Sequence, residues 1–141
     1  MKNCETSLLI HLKNRLRAPE VRTIKAYAGE FAADDPEELS EILPAIFVTF
    51  TDGRPLAQER QYEFSLLVVT ESDTIEKLEA QGANLELSET IAEYLRENYL
   101  FARQGGKGTY EILREQCEAR TLRNADRFCI VQIRLWMKGH F

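Results

Sequence analysis

The stretch from Leu43 to Thr70 constrains the fold more than any other part of the chain. Its first half, residues 45–51, is rich in apolar residues that favour β-structure, and its second half, residues 62–70, has an apolar side chain at every second position. Between the halves, Asp52-Gly53 is a strong turn signal. The stretch therefore predicts a long antiparallel hairpin in the middle of a sheet.

A second hairpin is predicted between Tyr110–Leu122 and Phe128–Met137. In the later strand the odd-numbered residues from Cys129 to Met137 are apolar, and Gln132 and Arg134 alternate with them. Residues 111–117 also fit a helical period. We favour a strand, because it pairs with the strongly β-forming segment that follows.

The remaining segments predict helices, one further strand and connecting loops. Residues 5–16 have a leucine stripe at helical spacing, residues 21–27 resemble a strand, and the capping box that starts at Asp35 predicts a short helix with Leu39 and Ile42 facing inward. Residues 71–87 are interpreted as a long, partly mobile excursion that contains a helix of about two turns ended by Gly82. Ser88 is expected to cap a helix over 89–100 that buries Tyr99, and a glycine-rich loop over 104–108 follows it.

This order of elements predicts one α+β domain over residues 1–141. We expect a mainly antiparallel four- to five-stranded sheet with two main helices packed on one face. The first strand and the first hairpin should be joined by a crossover that contains the short acidic helix.

Composition excludes several classes of function. The formal net charge is −5, from 23 acidic and 18 basic residues, and it opposes general binding to nucleic acid or to an anionic membrane. The apolar runs fall far short of the roughly 20 residues that cross a bilayer. The first six residues contain Glu5 and no long apolar region, so no secretory signal is expected. Cys4, Cys117 and Cys129 have no CxxC spacing and are expected to be ordinary reduced thiols of a cytoplasmic protein.

No stretch of the chain carries a catalytic or cofactor-binding signature. The segment Gly105-Gly106-Lys107-Gly108-Thr109 departs from the phosphate-loop pattern, and no apolar strand precedes it, so a hairpin tip is the better interpretation. His11 and His140 are the only histidines, and with the three cysteines they make no sensible zinc spacing. We expect no cofactor, no metal and no enzymatic activity.

Two features leave alternatives open. The acidic segment 30–41 is either a solvated loop, a protein-docking surface or a metal site, although it lacks the alternating pattern of a calcium loop. Its adjacent acids could hold magnesium in a small nuclease or hydrolase, but neighbouring acids on a loop rarely converge on one ion. Trp136 is either part of the sheet core or an anchor of an interface.

Two stretches resemble a known family. Val21-Arg22-Thr23-Ile24-Lys25-Ala26-Tyr27-Ala28-Gly29-Glu30 and Leu43-Pro44-Ala45-Ile46-Phe47-Val48 are similar to the V-R-x-[IV]-x-x-Y-x-G-[ED] and L-P-A-[IV]-x-V strands of tail-completion proteins, or tail terminators, of Mu-like contractile-tailed phages and prophages. The C-terminal strand pair is similar in placement.

The resemblance implies a structural protein of the virion. Such subunits commonly assemble as a hexameric ring on the last disc of the tail tube, stop the growth of tube and sheath, and present a surface to the head-tail connector. The genome would pass through the ring without specific binding, and no membrane is involved. A head-tail connector or stopper, and a cytoplasmic binding module unrelated to phages, remain alternative hypotheses.

Interface candidates come from exposed loops and charges of this chain alone. They are Asp34, Asp35, Glu37 and Glu38 in the acidic crossover, Ile75, Leu78 and Leu85 in the excursion, Arg54 and Arg60 beside the hairpin turn, Arg103 and Lys107 in the glycine-rich loop, and Trp136.

Overall fold

The structure, a computed structural model, describes residues 2–16, 21–29, 36–50, 61–71, 77–120 and 128–141. Within these ranges the fold is α+β, as expected. Its elements, in chain order, are α1 (Lys2–Arg15), β1 (Thr23–Ala26), α2 (Pro36–Glu41), β2 (Ala45–Phe50), β3 (Gln61–Glu71), α3 (Lys77–Glu97), β4 (Leu100–Ala102), β5 (Thr109–Arg120) and β6 (Phe128–His140).

The six strands of the described ranges form one mixed sheet with the spatial order β1-β2-β3-β6-β5-β4. Both predicted hairpins are present, since β2 pairs with β3 and β5 pairs with β6 in antiparallel register. β5 is thus a strand and not a helix. The strands β3 and β6 join the two hairpins at the centre of the sheet.

The expected number of four to five strands is wrong, and the sheet is mixed. The segment Leu100–Ala102, which the sequence pattern places at the end of a helix and in the loop after it, forms the additional strand β4 beside β5. The edge strand β1 lies parallel to its neighbour β2. A parallel neighbour requires a crossover connection between the two strands. The predicted crossover helix is α2.

One face of the sheet packs against α1 and α3, which confirms the two helices expected on one face. Leu8 and Leu12 of α1 and Ile91 and Leu95 of α3 are fully buried in the larger core cluster. Their partners in the sheet are alternate residues of the central strands, Phe64, Leu66, Val68, Ile133, Leu135 and Met137. The alternation predicted for the last strand therefore defines this face.

A second, smaller core lies on the opposite face and is associated with α2. Leu39 of α2 is buried there, as predicted, and Ile42 packs against the cluster. The sheet contributes Ala45, Phe47, Leu67, Val69, Phe128 and Ile130. These residues belong to β2 and to the adjoining ends of β3 and β6, so this core covers only part of the face.

The helix α3 differs most from the prediction. It runs without interruption through Gly82 and Ser88, so Gly82 does not end a helix and Ser88 does not cap one. The amide of Asn84, which is fully buried, donates to the carbonyl oxygens of Val68 at 3.1 Å and Cys129 at 2.7 Å. This tertiary anchoring outweighs the helix-breaking tendency of glycine, which costs about 1 kcal/mol relative to alanine.

The helix α1 is held at both ends by polar contacts. Near its start, Asn3 donates to the carbonyl of Gln104 at 2.5 Å and accepts a hydrogen bond from the Tyr110 hydroxyl at 2.8 Å. Further along, the Nε2 atom of His11 donates to the carbonyl of Asn98 at 2.9 Å, and its ring stacks on Phe101. No helix in the described part of the chain has the length and apolarity needed to span a membrane.

Candidate assembly interface

The part of the sheet that α2 leaves uncovered presents polar and charged side chains. They alternate with the buried residues of β3 and β6, and therefore point away from α1 and α3. We call this surface the open sheet face. It is formed by Glu63, Arg114, Gln116, Glu118, Gln132, Arg134 and Trp136; Ser65 lies on the same side of the sheet but is buried.

Trp136 lies half-buried at the centre of the open sheet face. The guanidinium carbon of Arg114 lies 3.9 Å from the centroid of the indole ring, and that of Arg134 lies 4.9 Å from it. Arg134 also forms an ion pair with Glu63 and donates from Nε to a carboxylate oxygen at 3.0 Å. The two cation–π contacts and the ion pair hold the tryptophan ring in a defined orientation without removing it from the surface.

The other side chains of the open sheet face form hydrogen bonds with one another or with Ser65, and the charges on this face are of both signs. Gln132 donates to the hydroxyl of Ser65 at 2.6 Å, and Gln116 donates to the carboxylate of Glu118 at 2.9 Å. Because arginines and glutamates are interspersed, this surface has no concentrated positive field for a nucleic acid. It suits a protein surface that presents both charges.

The outer edge of β5 is a second candidate interface. The short strand β4 pairs only with Thr109–Glu111, and the amide of Ile112 then donates to the carbonyl of Tyr99. From Leu113 to Arg120 no described strand pairs with this edge. Unpaired backbone amides and carbonyls along such an edge can accept a strand from another chain.

Exposed apolar side chains lie where β4 begins, next to the start of the unpaired edge of β5. The exposed fractions are 45% for Tyr99, 50% for Leu100 and 44% for Leu113. The prediction that Tyr99 would face the core is therefore wrong: the helix ends at Glu97, and Tyr99 directly precedes β4. The three side chains add an apolar component to the open edge.

The groove between α3 and β5 has a volume of about 470 Å³ and is open to solvent. Its lining consists of Glu89, Ala92, Glu93, Arg96, Glu115 and Cys117. Arg96 and Glu115 form an ion pair across it at 2.7 Å.

The chemistry of this groove does not indicate catalysis. Burial raises the pKa of the Cys117 thiol, and the nearby carboxylates of Glu89 and Glu115 raise it further. The thiol therefore stays protonated at neutral pH and is a poor nucleophile. Within the ranges that the structure describes, no three histidine, cysteine, aspartate or glutamate side chains are placed to hold a metal ion.

The predicted interface residues lie on several separate elements. Trp136 belongs to the open sheet face, Leu85 is exposed on α3, and Glu38 is exposed on α2. Lys107 is exposed in the turn between β4 and β5, whereas Arg103 is partly covered because its guanidinium lies 4.2 Å from the centroid of the Phe141 ring.

Other predicted residues cannot be assigned to a surface. Glu37 lies in α2 and Leu78 in α3, and the orientation of their side chains is not described. Asp34, Asp35, Arg54, Arg60 and Ile75 lie outside the described residues.

Sequence reasoning missed Arg114, Glu63 and the open edge at Leu113. The alternation that places Arg134 and Gln132 on the outward side could also have identified Glu63 opposite Trp136. Arg114 could not be found in this way, because the register of β5 shifts between Ile112 and Arg114. A bulge of this kind reverses the faces of all later residues in the strand.

No protein-family model matches the chain, and no curated protein matches it. A solved structure is similar with 14% sequence identity and a TM-score of 0.49, over 99% of this chain and 92% of the other.

Proposed function

We propose that this protein is a structural subunit of a contractile phage or prophage tail, with the role of a tail terminator. Its copies would form a hexameric ring on the end of the tail tube, stop the growth of tube and sheath, and join the tail to the head connector. The proposal takes its identity from the resemblance at residues 21–30 and 43–48. Its main physical support is the open sheet face, where Trp136 contacts two arginines.

Tryptophan and arginine are the residue types that most often dominate the binding energy of protein interfaces. Trp136 is already oriented by Arg114 and Arg134, so little conformational freedom would be lost on docking. The ion pair of Arg134 with Glu63 leaves this arginine only partly exposed. The open sheet face thus has an aromatic anchor surrounded by polar groups, which is the usual arrangement of a docking surface.

The net charge of −5 also fits a ring through which DNA passes. A predominantly acidic ring would not retain the phosphate backbone, whereas a basic one would slow its passage. The activity is binding alone and involves no bond chemistry. A closed ring requires head-to-tail contacts between two different surfaces of each subunit.

The proposal is tested by tube growth in the presence of the purified protein. Tail-tube subunits are polymerised with and without it, and tube lengths and tube ends are measured by electron microscopy. We expect the wild-type protein to shorten the tubes and to form rings at their ends. Tubes of unchanged length with bare ends would contradict the proposal, and binding to the connector but not to the tube would indicate a stopper instead.

Trp136→Ala tests the open sheet face within the same assay. We expect it to reduce tube capping by at least about tenfold, because it removes the aromatic anchor. Glu86→Ala is the control, since Glu86 is exposed on α3 and belongs neither to this face nor to the open edge of β5. Circular dichroism and thermal unfolding verify that both variants fold, and equal capping by both would contradict the assigned surface.

A further inference from the structure

The open edge of β5 continues as a regular strand after its bulge. From Arg114 to Arg120, every residue has a successive partner in β6, from Trp136 to Ile130. The outer side of this segment has no partner strand among the described residues. An edge of this length can pair with a strand of a second molecule.

The charges along this edge are arranged so that the strand complements itself. Arg114, Gln116 and Glu118 lie on the same face and present a positive, a neutral and a negative side chain in order. If two copies pair antiparallel about a two-fold axis at Gln116, Arg114 of each copy lies opposite Glu118 of the other. Opposite charges that face each other across a strand pair stabilise the pair.

The registers centred on Arg114, Glu115, Cys117 and Glu118 lack this match. A two-fold axis at Arg114 places the two copies of Arg114 opposite each other, and an axis at Glu118 does the same for Glu118, so both produce repulsion. An axis at Glu115 or Cys117 pairs Gln116 with a single charged residue and forms no ion pair among these three positions. Charges on an edge strand usually prevent pairing, but here they favour pairing about Gln116. An axis at Ala119 would also place Glu118 opposite Arg120, but it leaves only residues 118–120 of β5 in the pair, whereas the axis at Gln116 keeps residues 114–118 within the strand.

We propose that the β5 edge is a homodimer interface, in which two copies pair antiparallel about Gln116 and extend the sheet across the dimer. On the helix side of this segment, Glu115 and Cys117 line the solvent-open groove between α3 and β5. The bulge residue Leu113, which is exposed in one subunit, lies directly before this paired segment.

This inference does not rest on the proposed tail function. A two-fold contact uses the same surface on both copies, whereas a ring uses two different surfaces. The dimer is therefore a separate mode of association, and either proposal can fail while the other holds.

Site-specific crosslinking tests the register. In a Cys117→Ser background, Gln116→Cys places two thiols opposite each other on the axis. Cα atoms of directly opposed residues are about 4.5–5.5 Å apart, which lies within the range that a disulfide spans. We expect mild oxidation to convert most of this variant into a covalent dimer on a non-reducing gel.

Glu118→Cys in the same background is the matched control for crosslinking. Its thiols would lie opposite Arg114 of the other copy rather than opposite each other, so much less covalent dimer is expected. Both positions are exposed in one subunit, and random collisions would therefore link them equally. Equal crosslinking of the two variants, or no crosslinking of Gln116→Cys, would overturn the proposal.

Charge reversal provides an independent test by sedimentation equilibrium. Arg114→Glu and Glu118→Arg each place like charges together at two points of the interface, and we expect each to raise the dimer dissociation constant about tenfold. The combined variant restores both ion pairs and should restore the wild-type constant. Glu118→Arg leaves the contact between Arg114 and Trp136 in place, so its effect is not caused by loss of that contact. A combined variant as weak as the single ones would overturn the proposal.

Discussion

At the residue scale, Asn84 connects α3 to the centre of the sheet. Its side chain donates to backbone carbonyls of β3 and β6 and accepts a hydrogen bond from the Ser88 hydroxyl at 3.0 Å. We expect Asn84→Ala to lower the free energy of unfolding by about 2–3 kcal/mol, because two hydrogen bonds are lost and Ser88 loses its buried acceptor. Urea denaturation followed by circular dichroism measures the change.

Asn14→Ala is the control for this substitution. Asn14 is an exposed asparagine of α1, so its replacement should change the free energy of unfolding by no more than about 0.5 kcal/mol. A similar decrease in the free energy of unfolding in both variants would show that the buried hydrogen bonds of Asn84 do not stabilise the fold. In that case these bonds would not account for the continuity of α3.

At the scale of secondary structure elements, the sequence predicted those elements whose formation depends on neighbouring residues in the chain. Both hairpins and α1 follow from side-chain periodicity, which depends on which face of an element is buried. The continuity of α3 could not be predicted, because the bonds of Asn84 join residues 16 and 45 positions apart. The strand β4 has three residues, too few to show a period.

The candidate site was predictable only in part, because it too depends on contacts between residues that are far apart in the sequence. The sequence leaves Trp136 as either core or interface, and the alternation along β6 places Arg134 on the same side of the sheet. The side chains that contact Trp136 and Arg134 come from other strands. Arg114 reaches Trp136 only after the register shift in β5, and the open edge exists because β4 stops short.

Gly82 in α3 and Gly108 in the turn before β5 should respond oppositely to alanine substitution. Gly82 lies within α3 and is exposed, and a Cβ added there would meet no neighbouring atom within 4 Å, so Gly82→Ala should raise the free energy of unfolding by about 0.5–1 kcal/mol. Gly108 has a φ of +115°, and a Cβ there would lie 2.6 Å from the carbonyl oxygen of His140.

Gly108→Ala should therefore lower the free energy of unfolding by more than about 1 kcal/mol, through both strain and steric conflict. Thermal unfolding of the two variants beside the wild type measures both effects. Changes of the same sign would contradict this account, and a destabilised Gly82→Ala variant would indicate that α3 is not helical at that point.

At the scale of the whole molecule, the arrangement of strands should produce a gradient of local stability. β3 and β6 each have a partner strand on both sides, and the larger core lies directly above them. β1 and β4 are short and lie at the two edges of the sheet. Because amide exchange requires local opening, we expect the slowest exchange in β3 and β6 and the fastest among the strands in β1 and β4.

Hydrogen exchange followed by nuclear magnetic resonance tests this gradient residue by residue. In β5, amides that point toward β6 should be protected in dilute solution, while those that point outward after Leu113 should exchange quickly. The outward amides should become protected at higher protein concentration if the edge pairs with a second copy. Edge strands that exchange as slowly as β3 would show that the sheet extends beyond the described strands, and the surfaces inferred from its open edge would then have to be abandoned.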